Sequence, residues 1–533
     1  MTTGRRIIMG LLALALVGGP TLAALGFQAT AGSTGSMGTT PAPSGSPETS
    51  MASVPDGSLA ELAGFASNLP LVVIDANPDD FHVHSVWDTD LGYFVPVGYD
   101  PYVKGTLSVI DNPGGTNRLA DAPAQTTAMK ARVRGSSSQT FPKQQYDIRL
   151  LADEGGPRSV DILGLGSATD WVLNISFIDK SLLRNYLAYT LAGRIMDHTP
   201  KVRYCEVFFR DGAVYRYRGL YLMIQAVQVS ESMVPLTPYD PHFAETAYLV
   251  RRDRYRPNDV MLDTEGTTGG WTPEFVGVIY PPKQTLTKAS IDYITADINS
   301  FEAALVADDD ASFLTYADHI DTDSFVDYFV FNEFLGNYDA GIHSVYAYKD
   351  LTGKLTLGPV WDFDRAIGND YPNHFKTDST AMHDAAWFKQ ILRDGAFVER
   401  VVNRYAGLRA GVLSDAGIEA LVDTTVAAIH DAQVRDWNRW DYLGVYDASL
   451  TGPVKAGQLP LTGDRLDYPA TVERLVSTLE EHAHWMDAHL DSLYQFSTIG
   501  PDRDRTPAWY GPAGFILLVV AFFAGLHLVQ RGR

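Results

Sequence analysis

"DSFVDYFVFNEFLGNYDAGIHSVYAYKDLTGKLTLGPVWDFDRAIGN", residues 323–369, carries the reading that decides the fold. Its first part follows capping residues Asp321 to Ser324, is apolar almost all round and stops at Gly336. That pattern predicts a helix buried in the middle of a lobe. A polar loop, "LGNYDAGIHS", comes next, then a strand, "VYAYKD", a turn, "LTG", and a returning strand, "KLTLGPVWD". A hairpin brings its strand ends to about 5 Å from each other. Asp339, just before the hairpin, and Asp362, at its far end, are therefore expected to meet, with Asp364 two residues beyond. Asn337, His343 and Ser344 share the incoming loop. Carboxylates gathered where an apolar strand stops are costly unless something compensates them. A hard cation such as Mg2+ does so, because it prefers oxygen ligands. Two plainer readings stand beside this one: Asp364 as the cap of a helix beginning at Arg365, and Asp362 as a salt-bridged structural residue. His343 reads as a loop hydrogen-bonder, and Tyr346, Tyr348, Trp361 and Phe363 as packing residues.

Outward from this stretch the chain changes character. From 67 to 285, β-branched and aromatic runs such as "LPLVVID", "MKARVRG", "QQYDIRL" and "YCEVFFR" alternate with turn residues, predicting a mostly antiparallel, β-rich lobe. One helix interrupts it, "DKSLLRNYLAYTLAGRI", with Asp179 as the expected N-cap. From 286 to 496 amphipathic helices dominate. The fold class is α+β, a strand-rich lobe followed by a helical lobe with a cleft expected between them.

The chain has 533 residues, a net charge of -22, and is 45% hydrophobic, enough for a large core. Its acidity argues against nucleic-acid binding, which recruits Lys and Arg. The lone Cys205 rules out an intramolecular disulfide and reads as a small core residue. Residues 1–26 have a basic start at Arg5 and Arg6, an apolar centre and small residues near Ala23, the pattern of a signal peptide or signal-anchor. Residues 27–66 are rich in Gly, Ser, Thr and Pro and read as a flexible linker. After a polar spacer, 497–506, residues 507–530 are apolar enough to cross a bilayer, with Trp509 and Tyr510 at one interface and Arg531 and Arg533 on the cytoplasmic side. The expectation is a cell-membrane protein, passing once or twice, with its main body outside the cytoplasm and its C-terminal helix in the membrane.

The order of buried helix, acidic loop, hairpin and Asp-Phe-Asp parallels protein kinases, in which a catalytic loop precedes a hairpin leading to a metal-binding Asp-Phe-Gly. Several ordered stretches sharpen the likeness. "ARVRGSSSQTFPKQQYDIRL", "DKSLLRNYLAY", "YRGLYLMIQAV" and residues 323–369 together resemble the spore-coat protein H (CotH) kinase family, an atypical protein-kinase-like group, over residues 68–495. The resemblance implies a two-lobed kinase-like fold and transfer of the ATP γ-phosphate to Ser or Thr of a protein at the cell surface or envelope, with Mg2+ or Mn2+. It gives Asp339 the catalytic role, or that of a second metal-site residue, and puts Asp362, Asp364 and Ser344 at the metal. Lys143 matches the first lysine of the family's Pro-Lys-Lys and is expected at the ATP phosphates, with the turn Ser136, Ser137 and Ser138 offering N–H groups and hydroxyls. Arg184 reads as an intramolecular ion-pair partner. Gln144, Ser136, Gln225 and Ser344 depart from the family's pattern.

Those departures bear on the nucleotide grip and sustain a second reading, a catalytically weak pseudokinase acting as a cell-surface binding or adhesion module. A metal-dependent phosphoesterase or sugar-active enzyme is a third, although it leaves Lys143 and the motif order unexplained.

Overall fold

The computed structural model describes residues 51–90, 93–96, 101–175, 177–254, 259–264, 274–369, 375–440 and 467–500. The first strands are β1 (Gly57–Ser58), β2 (Leu71–Asp75), β3 (Ser85–Asp88), β4 (Tyr93–Pro96), β5 (Val103–Ile110), β6 (Gln125–Arg134) and β7 (Gln145–Leu151). They continue as β8 (Val160–Asp161), β9 (Ser167–Ala168), β10 (Asp170–Asn174), β11 (Val202–Asp211) and β12 (Val214–Gln225), with helix α1 (Arg184–Ala192) before β11. Eight of these form one sheet in the order β1-β12-β10-β7-β6-β5-β2-β11. Because β12 pairs with β11 as well as β10, the sheet closes on itself and leaves few free edges.

Strand alternation explains how both faces of this sheet are filled. Val72 and Ile74 of β2 join the main core, whereas Leu71 and Val73 point the other way into a second cluster with Val54, Leu62 and Phe65. Residues 51–66, expected from composition to be linker, are thus packed against the sheet. Their Gly and Ser residues are interleaved with just enough apolar side chains to seal its outer face. Residues 497–500 are also tied down, since Thr498 N and Ile499 N both donate to Arg393 O.

A second sheet, order β14-β15-β13-β16-β17, is built from β13 (Tyr248–Arg254), β14 (Val260–Met261), β15 (Glu274–Tyr280), β16 (Val345–Lys349) and β17 (Thr356–Leu357). Its centre, β13, pairs with β15 on one side and β16 on the other. The sheet therefore takes strands from both sides of the boundary expected near 285. Around it lie α2 (Lys288–Leu305), α3 (Asp310–Leu314), α4 (Tyr316–His319), α5 (Thr322–Phe334), α6 (Ala386–Ile391), α7 (Gly395–Arg409), α8 (Asp415–Trp440) and α9 (Tyr468–His489). Helix α5 is the buried one: the Asp321 side chain accepts from Ser324 N at its start, and nine of its residues from Phe325 to Phe334 are buried. Gly336 ends it with a φ of +57°, and a Cβ there would fall 2.2 Å from the Phe375 ring. The result is a mixed α+β protein. Among the described residues no helix is long and apolar enough to cross a membrane. The spans 1–26 and 507–530 lie outside them.

Helix α8 drives two charged side chains into the first sheet. Arg435 donates through Nε (2.8 Å) and Nη2 (2.6 Å) to the buried Glu206 carboxylate. Asp436 Oδ1 accepts from Lys143 Nζ (2.7 Å) and Leu220 N (2.8 Å). Gly219 makes room for it, because a Cβ would sit 2.0 Å from that oxygen. Removing one member of such a pair strands the other charge in a dry interior. Asp436→Ala is expected to cost about 3–5 kcal/mol of stability, read as a lowered urea midpoint. A loss below about 1 kcal/mol would show that the pair is replaceable by water.

Candidate active site

The site begins with the way α1 starts. The sequence suggests a helix from Asp179, but Leu182 adopts φ +62° and delays it to Arg184. Asp179 instead organises the preceding turn, accepting from Ser181 N (3.1 Å), Arg184 N (2.9 Å) and the Arg184 guanidinium. That guanidinium reaches across the fold to the segment after the hairpin. Its Nε donates to Ala366 O (2.9 Å) and its Nη2 to Ile367 O (3.0 Å). Asn185 Oδ1 accepts from Phe363 N (3.0 Å), and the Tyr189 hydroxyl accepts from Asp362 N (3.3 Å). Asn185 and Tyr189 are four apart and share a helix face. One helix thus fixes residues 362–367, and Asp362 (φ +71°) and Ile367 (φ +52°) are held in left-handed backbone that costs about 1–3 kcal/mol each.

The hairpin forms as expected, with Ala347 opposite Leu357 and Tyr348 opposite Thr356, but its returning strand is only two residues long. Gly358 N then donates to Tyr346 O (2.8 Å), and the chain continues without regular secondary structure to Asp362. No helix starts at Arg365. Asp364 sits in a turn, where Asn369 Nδ2 donates to its carbonyl oxygen (2.6 Å). The helix-cap reading of Asp364 is therefore corrected: the grip of Arg184 on the carbonyls of 366 and 367 turns the chain away from a helical path.

Asp339 is half-buried, and its carbonyl accepts from Ile342 N (3.2 Å) and His343 N (2.9 Å), closing the loop before β16. Burial and the nearby Asp339 charge push the Asp362 carboxyl above the usual range, while Arg134 and Arg365 pull it down. Asp362 keeps a solvent-exposed face, although protein surrounds it on its other sides. Asp364 is driven well above the usual range by burial, then by Asp362, with further repulsion from Asp179 and Asp339. Asp339 thus bears on both Asp362 and Asp364, and Asp362 bears on Asp364. Asp253 on β13 acts on Asp362 in the same sense. It is a fourth acid that sequence reasoning missed, because only the pairing of β13 with β16 brings it here.

These residues suit a hard divalent cation. The donors are oxygens, and Asn337 adds one more: its Nδ2 donates to Asn332 Oδ1 (3.0 Å), which leaves its buried Oδ1 without a partner among the described residues. Those residues hold no group of three His, Cys, Asp or Glu side chains close enough to enclose an ion. An open set of one or two carboxylates is what Mg2+ uses when phosphates complete its shell. Ser344 is half-buried with φ +55° in the same loop.

The cations that act on Asp362 are Arg134 and Arg365, not Lys143. Arg134 ends β6, donates to Asp147 Oδ1 (2.6 Å), lies 5.0 Å over the Trp361 ring and lowers the Asp362 carboxyl. Its signal was its position immediately before the Gly135 turn. Lys143 is fully buried, and its ammonium donates to Leu220 O (2.6 Å) and Asp436 Oδ1. In this structure it does not face an open cleft. The turn itself is tightly built. Gly135 has φ +110°, Gln139 Nε2 donates to Gly135 O (2.6 Å), Ser136 Oγ donates to Phe94 O (3.3 Å), and Ser138 Oγ accepts from Gln145 Nε2 (3.1 Å). Ser137 lies in the same turn, at the start of its 3-10 segment.

A family model described as CotH kinase protein matches residues 131–486, from within β6 to within α9. The chain belongs to the CotH kinase family. The matched span contains Arg134, the glycine–serine turn, α1, Asp253 and all the hairpin acids. No curated protein matches the chain.

The repulsion has a measurable sign. Asp364 ionises only above its ordinary range in the folded protein, so its stabilising contribution is full below about pH 4 and is lost as pH rises through the raised value. In chelator, Asp364→Asn should gain thermal stability over the wild type as pH rises from about 4 through that raised value. Parallel melting curves for the two proteins would mean that the carboxylate is already compensated.

Proposed function

We propose that this CotH-family protein is a kinase that transfers the γ-phosphate of ATP to a Ser or Thr hydroxyl of a protein. The observation that supports the reading is the β16–β17 hairpin, with Asp339 before its first strand and Asp362 after its second, where the Asp339 charge and Arg134 both act on Asp362. Phosphoryl transfer asks a protein for positioning and for charge to offset the phosphates rather than for covalent chemistry. Asp362, Asp364 and Asn337 supply oxygens for Mg2+, which when bound neutralises phosphate charge and aligns the leaving group. Asp339 orients the acceptor hydroxyl and takes its proton. Arg134 pairs with a phosphate oxygen, held in aim by Asp147 and by the Trp361 face. Tyr189 and Asn185 keep Asp362 from rotating out of line.

The two-lobed kinase-like arrangement, the membrane anchor at 507–530 and an acceptor protein at the cell surface or envelope are part of the same proposal and rest on the sequence pattern. The Lys143 ammonium, already neutralised by Asp436, favours the second reading, a weakly catalytic binding module. Incubating the full chain with labelled ATP, Mg2+ and an envelope protein fraction separates them. The kinase reading expects labelled phosphoserine or phosphothreonine, lowered about 10²–10⁴-fold by Asp339→Asn and abolished in Asp362→Ala. Label released only as free phosphate, or transfer untouched by both substitutions, would overturn it.

A further inference from the structure

Four hydrogen bonds run head to tail between the two halves of the site. Phe363 N donates to Asn185 Oδ1 (3.0 Å), and Asn185 Nδ2 donates to Asn174 Oδ1 (3.1 Å). Asn174 Nδ2 donates to Gln145 Oε1 (2.8 Å), and Gln145 Nε2 donates to Ser138 Oγ (3.1 Å). Strand register makes the middle link: Leu173 pairs with Tyr146, which sets the next residues, Asn174 and Gln145, side by side. The chain starts on the backbone of the Asp-Phe-Asp segment and ends in the glycine–serine turn.

Its direction is forced. A backbone N–H can only donate, so Asn185 must present its oxygen to Phe363 and its NH2 group to Asn174. Each amide then passes the same polarity to the next. Ser138 is left as an acceptor toward Gln145, and its own proton must be given elsewhere. Among the described residues no acceptor takes that proton. Gly135 allows the approach, because a Cβ at that position would fall 1.9 Å from Ser138 Oγ. Bonds in such a run polarise one another, so the terminal hydroxyl is a better donor than an isolated serine.

We propose that Asn185, Asn174 and Gln145 form a polarised relay that fixes the Ser138 hydroxyl as a donor to a phosphate oxygen of the bound nucleotide. Asn174 and Gln145 are positioning residues that act through Ser138. The relay rests on the nucleotide-binding reading above. It adds that the turn's grip on phosphate depends on side chains that touch no ligand.

Asn174→Asp tests it. A carboxylate only accepts, so Asp at 174 takes hydrogen bonds from Asn185 Nδ2 and from a reversed Gln145. Gln145 Oε1 then faces Ser138 and claims its proton. The measurement is the Kd of Mg2+–ATP for the full chain, with thermal unfolding alongside to verify folding. Asn174→Asp and Ser138→Ala should each weaken binding about tenfold. The double variant should be no weaker than either alone. Should Asn174→Asp fail to fold, Gln145→Glu makes the same reversal one step closer and is paired with Ser138→Ala in its place. Folded single variants that bind as tightly as the wild type, or effects that multiply in the double variant, overturn the relay and leave the kinase reading in place. A wild-type chain that binds no Mg2+–ATP overturns both.

Discussion

The rest of the site depends on the hold of α1 over residues 362–367. Three carboxylates within one another's field repel, and the chain would relax by swinging the segment away if it were free to do so. Arg184 on two carbonyls, Asn185 on an N–H and Tyr189 on another remove that freedom. The energy comes from burial: Leu183, Leu187, Ala188 and Leu191 lock the helix into the main core, so its polar residues are delivered rigidly. Strain at Asp362 and electrostatic repulsion at Asp364 are thus offset by packing elsewhere, the usual exchange between stability and a poised site.

The two sheets supply the other constraints. Closure of the first sheet fixes β6, β7 and β10 relative to one another, which sets where the Gly135 turn stands. The second sheet, through β13, brings Asp253 and the hairpin together. Helix α8 is then tied to β12 through Asp436 and to β11 through Arg435. Lys143 belongs to this structural joint. Its ammonium carries an ion pair that holds a helix to a strand, and Arg134 and Arg365 are the cations that act on Asp362.

Much of this was legible because it is local. The apolar run of α5, its Asp321 cap and its Gly336 stop depend on residues within a few positions of one another, and so does the hairpin that joins Asp339 to Asp362. The family could be read from ordered motifs along most of the fold. What the sequence hid is long-range. Nothing near Lys143 announces Asp436, nearly three hundred residues away. Nothing near Asp364 announces that Arg184 will bend the following turn away from a helix. Asp253 and Arg134 enter the site through strand pairing, which local patterns do not specify. Residues 51–66 carry a linker's composition with a few apolar side chains that proved sufficient to pack.

The account stands on two acids, Asp339 and Asp362, facing one metal–triphosphate complex. Crystals of the protein grown with Mn2+ and a non-hydrolysable ATP analogue, with anomalous data collected to locate the ion, test that most directly. The account predicts one ion about 2.0–2.3 Å from a carboxylate oxygen of Asp362, with Asp339 turned toward the terminal phosphate. An ion and nucleotide bound away from the hairpin mouth, or Asp339 and Asp362 turned to separate surfaces, would contradict it.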